Sequence, residues 1–325
     1  LKILVTGGAG YIGGTVALRL LSAGHNVLIY DNFCHGHREL VPAGTRLVEG
    51  DLANRERLER LFRDEKVDGV MHFAALIEAG ESMKHPELYF RNNTASTLTL
   101  LEAMLATRVE RLVFSSTAAV YGEPEKTPIE ETAALSPTNA YGESKLLVEH
   151  MLTWLNRIHG LRYASLRYFN VAGAVEGRGE AHEPESHLIP LVLDVALGRR
   201  QSIKIFGKDY PTPDGTCIRD YVHVGDLAGA HILAFEALST RSRLIYNIGN
   251  GQGFSVREVV ESARRVTGHP IPVVEEPRRP GDPAVLVASS KRIIEELGWK
   301  PLYSSLDDIV RSAWTWHQQR YGGKH

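Results

Sequence analysis

Short apolar runs alternate with amphipathic stretches through the first half of the chain. Residues 2–6 form a run of the kind seen in buried parallel strands, and 27–30, 46–49, 69–73, 111–115 and 163–168 also read as strands. Between them, apolar residues recur at helical spacing over 14–23, 55–64, 86–106 and 139–158, with Gly24 and Gly160 placed to stop the first and last of these helices. Strand, helix, strand, helix in strict order implies a parallel sheet with helices on both faces. After about residue 172 the alternation is lost. A loop rich in Gly, Glu and Pro covers 174–185, and helices are expected over 187–198, 226–238, 290–297 and 306–318. Strands are expected over 203–206 and 244–248. Ser255-Val-Arg-Glu258 has the form of a capping box, and Ser305-Leu-Asp-Asp308 is a second cap signal.

The first strand runs directly into Gly7-Gly8-Ala9-Gly10-Tyr11-Ile12-Gly13, and the second ends at Asp31. Glycines at 7, 10 and 13 allow a tight turn, a close backbone approach to a pyrophosphate and close packing of helix on strand. The carboxylate of Asp31 can accept from both hydroxyls of a ribose and would repel a 2′-phosphate, which favours NAD over NADP. The fold class expected is therefore α/β: a Rossmann-type doubly wound parallel sheet over 1–172, with a return of the chain near 222–250. A smaller C-terminal α+β substrate domain is expected over 173–325.

Chemistry enters with Tyr141-Gly-Glu-Ser-Lys145. The tyrosine and lysine stand four apart on a predicted helix and share one face. A phenol titrates near ~10, and neighbouring cations lower that value, so Lys145 together with a bound cationic cofactor is expected to prepare Tyr141 as a base. Ser115-Ser116-Thr117 puts hydroxyls at the carboxyl end of a strand, where doubly wound sheets bind ligands.

Composition removes other classes. With 37 basic and 39 acidic residues in 325, the formal charge of −2 argues against a nucleic-acid or membrane surface as the main partner. Cys34 and Cys217 have no redox or metal spacing, which fits a reducing compartment. Residues 1–6 enter a strand without a basic leader, so a cytoplasmic location is expected. No metal site is expected. The histidines of His182-Glu-Pro-Glu-Ser-His187 are five apart with a proline between them, and His35-Gly-His37 reads as loop.

In order along the chain stand Thr6-Gly-Gly-Ala-Gly-Tyr-Ile-Gly13, Asp31-Asn32, Gly50-Asp51-Leu52, His72-Phe-Ala-Ala75, Ser115-Ser-Thr-Ala-Ala-Val-Tyr-Gly122, Tyr141-Gly-Glu-Ser-Lys145, Leu166-Arg-Tyr-Phe-Asn170 and Arg219-Asp-Tyr-Val-His223. With these motifs the chain resembles the extended short-chain dehydrogenase/reductases, and among them the UDP-glucose 4-epimerases. That resemblance implies an isomerase of nucleotide-sugar and galactose metabolism with tightly bound NAD, which inverts C4 of a UDP-hexose through a transient 4-keto sugar. It implies Tyr141, Lys145 and Thr117 as the catalytic group. For the cofactor it implies Gly7, Gly10, Tyr11, Ile12, Gly13, Asp31, Asn32, Asp51, Leu52, Phe73, Ala74, Ala75, Asn92, Ser115 and Phe169 beside Tyr141 and Lys145. For the UDP-sugar it implies Thr117, Asn170, Leu188, Phe206, Arg219, Arg279, Asp282 and Leu286. A homodimer formed through two helices, one carrying Tyr141, also follows from the likeness.

The chain departs from that family at two places. Ile77 stands where the best-known members have lysine, removing one cation beside the cofactor phosphates. Leu286, following Gly281-Asp282-Pro283, is smaller than the tyrosine that restricts the pocket to glucose and galactose, so N-acetylated hexoses are expected to fit. The nearest rival activity, a sugar-nucleotide 4,6-dehydratase, carries an Asp-Glu pair just after the threonine. Here those positions are Ala118 and Ala119, which exchange no protons. A non-catalytic NAD-binding regulator would be expected to lack the Tyr-Lys pair.

Overall fold

The computed structural model describes residues 1–279 and 282–323. The chain opens with β1 (Lys2–Thr6), α1 (Tyr11–Ser22), β2 (Asn26–Asp31), β3 (Arg46–Glu49), α2 (Arg55–Glu65) and β4 (Gly69–His72). Next come α3 (Ala79–Ser82), α4 (Pro86–Tyr89), a π-helical stretch (Phe90–Ala95) and α5 (Ser96–Thr107). β5 (Arg111–Thr117) runs into a 3₁₀ turn (Ala118–Tyr121), and α6 (Ala140–His159) precedes β6 (Arg162–Tyr168). The remainder comprises β7 (Asn170–Ala172), α7 (Leu188–Ala196), β8 (Ile203–Phe206), β9 (Ile218–Arg219), β10 (Tyr221–His223), α8 (Val224–Ala237) and β11 (Arg243–Ile248). It ends with β12 (Phe254–Ser255), α9 (Val256–Thr267), β13 (Val273–Glu276), β14 (Val285–Leu286), α10 (Lys291–Leu297) and α11 (Leu306–Tyr321).

Seven strands form one sheet in the order β11-β6-β5-β4-β1-β2-β3, and every neighbouring pair is parallel. Successive side chains leave a strand on opposite faces. Ile3 and Val5 therefore pack with Val16, Leu20, Leu227 and Phe235 of α1 and α8, while Leu4 packs with Leu58, Phe62, Leu100 and Leu152 of α2, α5 and α6. This two-faced burial is why the strand runs carry almost no polar alternation. The expected return of the chain is β11, which pairs with β6 from Arg243 opposite Tyr163 to Ile248 opposite Tyr168. The later elements gather around a further core of Ile189, Val192, Ile205, Val259, Ile309 and Trp314. The short strands build three small sheets, β10-β7, β12-β9-β14 and β13-β8.

Three local expectations need correction. The predicted helix over 86–106 is interrupted by the π-helical stretch, because the Asn93 side chain is committed to the backbone of Leu76. A single wide turn inside an apolar helix leaves the hydrophobic spacing readable as one helix. The helix after the glycine turn starts at Tyr11 rather than at 14, so the last residues of the turn are already helical. Ser305 stands at the N-cap of α11 without a side-chain capping bond, whereas Ser255 and Glu258 complete both halves of the box that opens α9. The two- and three-residue strands were not foreseen, since so few residues carry no period.

A buried ion pair fixes the middle of the sheet. Arg167 of β6 reaches Glu149 of α6 with two parallel bonds, Nε to Oε1 at 2.9 Å and Nη2 to Oε2 at 2.5 Å. The pair is almost wholly buried, with side chains 3% and 4% exposed. Ser116 of β5 donates to Glu149 at 2.5 Å, and Arg167 Nη1 donates to the Tyr121 hydroxyl at 2.9 Å. Tyr121 in turn donates to Asn247 of β11 at 2.7 Å. Removing one charge of such a pair strands the other in a dry interior. Arg167→Met is expected to destabilise the protein by about 3–5 kcal/mol in denaturant unfolding, and Arg167→Met with Glu149→Met to recover most of that loss.

Candidate active site

The strand order reverses between β1 and β4, so the carboxyl ends of these strands border a crevice at the switch point. Two backbone segments face each other there. Gly7 has φ +69°, and a Cβ built on it would stand 2.6 Å from the Ala74 nitrogen; one on Gly13 would stand 2.3 Å from the Gly7 oxygen. The glycines are thus required by contact as well as by conformation. α1 opens behind them with Gly10 at its N-cap and no side-chain cap, leaving its first amides for a ligand.

Gly7, Gly10, Tyr11, Ile12, Gly13, Asp31, Asn32, Asp51, Leu52, Phe73, Ala74, Ala75, Asn92, Ser115, Tyr141 and Phe169 all line one cleft of about 330 Å³. Asp31 is held by the amides of Ala9 (2.9 Å) and Phe33 (2.8 Å), one to each carboxylate oxygen. Each oxygen keeps a lone pair for a ribose hydroxyl. Asn32 donates to Asp51 at 2.9 Å. Asn93 accepts from the Leu76 amide at 2.8 Å and donates to the Leu76 carbonyl at 2.9 Å and to Ser144 at 3.1 Å. The π-helical stretch therefore ties the loop after β4 to α6, and it presents Asn92 to the cleft. The close glycine cradle, the free helix start and the anchored carboxylate fit a dinucleotide.

Asn139 caps α6 by accepting from the Gly142 amide at 2.8 Å. A Cβ on Gly142 would lie 2.6 Å from the Ala119 oxygen, so glycine lets the first turn of α6 pack on the turn after Thr117. This brings Tyr141 and Thr117 into the same cleft. Lys145 lies behind it, 2% exposed, and donates from Nζ to the Ser115 carbonyl at 2.9 Å. Burial pushes the Lys145 ammonium down from its ordinary 10.5 to about 7. Lys145 is not among the groups that shift Tyr141 in the chain by itself. Burial lifts the phenol above its ordinary value, the neighbouring Thr117 hydroxyl pulls it back, and the Glu78 carboxylate adds to the rise.

A second cleft, of about 420 Å³, opens beside the first and shares Asn170, Val171 and His187 with it. It contains the expected Leu188, Phe206, Arg219, Arg279 and Asp282. The Arg279 guanidinium lies 3.8 Å over the Phe206 ring. Arg219 is partly committed: Nη1 donates to the carbonyls of Ile218 (2.9 Å) and Pro283 (2.8 Å), and Nη2 lies 3.5 Å from Asp282. Leu286 lines neither cleft and packs with the Ala118, Leu146 and Phe169 cluster, next to the first. Gly281, part of the motif around Asp282, lies outside the described residues. Gly249 to Gly253 is a structural turn, whose Asn250 and Gly251 amides bond the Asp220 carboxylate.

The two clefts differ in charge. The second has Arg200, Lys204, Arg219 and Arg279 at its wall, as an anionic ligand requires. Among the described residues no lysine or arginine lines the first, where the possible cations are His35, His37, His182 and His187. His187 is hydrogen-bonded to Glu185 at 2.7 Å; burial opposes its charge, yet the Glu185 bond and nearby carboxylates raise it to about 9. Burial raises Glu180 to about 7. Glu180 and Glu185 lie on the segment read from sequence only as a loop and His187 at the start of the predicted helix, so the part of this stretch in the cleft was missed; the run of three acids and two histidines over 180–187 was the available signal. Among the described residues no cluster of metal-ligating side chains occurs.

Residues 3–249 match the model of the NAD dependent epimerase/dehydratase family. The chain is 55% identical to the UDP-glucose 4-epimerase of Streptomyces lividans over 323 residues, covering 99% of this chain and 98% of that one. A solved UDP-glucose 4-epimerase superposes with a TM-score of 0.97 at 48% identity, covering 100% of both chains. The UDP-glucose 4-epimerase from Brucella ovis, solved in complex with NAD, superposes with a TM-score of 0.94 at 45% identity over 97% of both.

The buried lysine yields a test independent of turnover. Its folded value lies below its unfolded one, so the unfolded chain binds the extra proton between about pH 7 and 10.5. The destabilisation is complete below pH 7 and is relieved as pH rises through that window. Lys145→Met is expected to melt higher than the parent at pH 6.5, with the difference shrinking steadily towards pH 10.

Proposed function

The chain belongs to the NAD dependent epimerase/dehydratase family, and we propose that its two joined clefts hold NAD and a UDP-hexose for epimerisation at C4. The observation that carries this reading is the position of Tyr141 and Thr117. Both face the dinucleotide cleft, whose shared wall with the basic cleft includes Asn170. A sugar nucleotide anchored by its diphosphate in the basic cleft can extend its hexose across Asn170 to these hydroxyls. The chain is accordingly an isomerase with NAD as cofactor, and residues 173–325, apart from the segment 174–187 and the return through α8 and β11, supply the UDP-sugar side.

Tyr141 takes the proton of the 4-hydroxyl as C4 becomes a ketone, and returns it after the sugar has turned its other face. NAD, when bound, supplies a hydride acceptor and then a hydride donor at C4, and a positive charge beside the phenol. Thr117 bonds the 4-oxygen and relays the proton. Its β-branch limits the rotamers of that hydroxyl. Lys145 would hold the ribose next to the nicotinamide with the N–H groups not spent on Ser115. Asp31 would hold the adenosine ribose, and the opening amides of α1 the pyrophosphate. Arg219 and Arg279 grip the diphosphate of the sugar nucleotide. Ala118 and Ala119 supply no acid for elimination of water, which separates this chemistry from a 4,6-dehydratase.

Leu286 favours a second substrate class. It is a small apolar side chain packed against Phe169 and Ala118, beside the cleft that contains Thr117. Leu286 lines neither cleft itself, and the lack of a bulkier side chain behind Phe169 supports acceptance of the N-acetyl group of UDP-N-acetylglucosamine or UDP-N-acetylgalactosamine. A dimer formed through α6 and α5 is supported by Trp154 and Ile158 on α6, 61% and 68% exposed, with Leu98 on α5 at 40%. Two unpaired cysteines accord with the cytoplasm.

Purified protein given UDP-galactose without added reductant should form UDP-glucose, and UDP-N-acetylgalactosamine should give its own C4 epimer. Tyr141→Phe should lower both rates by roughly 10²–10⁴-fold while bound NAD is retained, as read by absorbance after gel filtration. Undiminished turnover in that variant would remove the proton role assigned to Tyr141. Light scattering of the pure protein should give a mass near twice 36.0 kDa, and Trp154→Glu should bring it to that of one chain.

A further inference from the structure

The segment 174–187 crosses the dinucleotide cleft, and Gly179, Glu180, Ala181, His182 and His187 form part of its lining. It is held on one side by residues of α1 and the loop after β2. The Tyr11 hydroxyl donates to the Gly173 carbonyl at 2.6 Å, His37 Nε2 donates to the Ala181 carbonyl at 2.8 Å, and Arg178 bonds the Leu40 carbonyl. On the opposite wall the contacts converge on Glu78. Ser186 Oγ donates to Glu78 Oε2 at 2.8 Å, and His182 Nε2 stands 3.5 Å from Glu78 Oε1. Glu78 is itself anchored from behind, its carbonyl accepting from the Tyr89 hydroxyl at 2.8 Å. It directly follows Ile77, which lines the cleft.

His182 carries the contact inward. Its ring stacks on His35 from the loop after β2, with centroids 5.2 Å apart and planes at 27°, and meets His187 edge-on at 6.3 Å. Its Nε2 is buried and makes no hydrogen bond, so the near carboxylate of Glu78 is the group placed to receive it after a small movement. Among the described residues no lysine or arginine lines this cleft to grip a diphosphate. Holding the cofactor therefore falls to backbone donors and to enclosure.

We propose that Glu78 is a positioning residue for the dinucleotide: with Ser186 and His182 it forms a clasp that keeps the segment 174–187 across the cleft, so that NAD escapes when the clasp opens. The proposal rests on the reading of the cleft as an NAD site. Glu78 touches neither the sugar nor the reacting carbon in this account; it acts through the segment it holds.

The test is the rate at which bound NAD is replaced by fluorescent etheno-NAD, followed in the full-length protein and in Glu78→Ala, Glu78→Gln and Ser186→Ala. Loss of both partners in Glu78→Ala should speed release about 5- to 20-fold. Glu78→Gln keeps an acceptor for Ser186 and should fall between that variant and the parent, as should Ser186→Ala. Melting of the NAD-free proteins should be alike, which separates a clasp from a fold defect. Release at the parent rate in Glu78→Ala overturns the clasp. Should that variant fail to fold, parent-rate release in both Glu78→Gln and Ser186→Ala overturns it equally. A parent protein that holds no NAD at all overturns the reading of the cleft itself, and the clasp with it.

Discussion

The paired bonds between Arg167 and Glu149 are the constraint on which the geometry of the site depends. Glu149 lies on the helix of Tyr141 and Lys145, two turns beyond the catalytic face. Arg167 lies on β6, and Ser116, which also bonds Glu149, is the residue before Thr117. One carboxylate thus sets the distance between the helix that carries the phenol and the strand that carries the threonine hydroxyl. An apolar contact of the same volume would bury as much surface, but it would not fix rotation of the helix about its axis. Bidentate bonds to a planar guanidinium do fix it, because both oxygens must stay in the plane of the fork. The same arginine reaches Tyr121 in the turn after Thr117, and through it Asn247 of β11. A chain of fully partnered polar groups therefore runs through the middle of the sheet, where an unpartnered one would be costly.

Around that fixed frame the two clefts divide the task by charge. The dinucleotide cleft offers glycine backbone, the start of α1 and a carboxylate for a ribose, with histidine as its possible cationic side chain among the described residues. The adjoining cleft is walled by arginine and lysine. A resident cofactor and an exchanging substrate have different needs. In general the first can be held by shape and many neutral donors, while the second must arrive, bind and leave, which suits a charged wall facing an anionic group. Tyr141 lies on the first cleft, where burial lifts its phenol above the ordinary value. The direction of this shift is set by burial, which outweighs the Thr117 hydroxyl.

The strands, the glycine turn and the Tyr-Lys helix were legible because each is repeated information. Buried parallel strands are uninterrupted apolar runs, and the turn needs glycine at positions where a Cβ would strike backbone. Even the return of the chain as β11 announced itself, since Leu244 to Ile248 is a buried run like the others. The π-helical stretch was not legible. Asn93 is committed to the backbone of Leu76, a contact between distant residues that leaves the local period nearly intact. Nor was the role of 174–187, whose residues have no secondary structure to predict and gain their meaning from what they lie against. Burial of the Tyr141 phenol was likewise not legible, because spacing along a helix fixes direction and says nothing of how much water reaches a side chain.

The place of β11 at the edge of the sheet also bears on how the protein is made. Its partner β6 is finished by residue 168, yet β11 begins at Arg243, after all of β7 to α8 has been laid down. On a ribosome the first six strands therefore emerge with one flank of β6 unpaired, and Tyr121 waits for Asn247. Closing that gap joins segments far apart in the chain, the kind of contact that slows folding and leaves a bare strand edge open to wrong partners in the interval. The residues that finish the sheet thus also end the period in which the nascent chain is most exposed to misassembly.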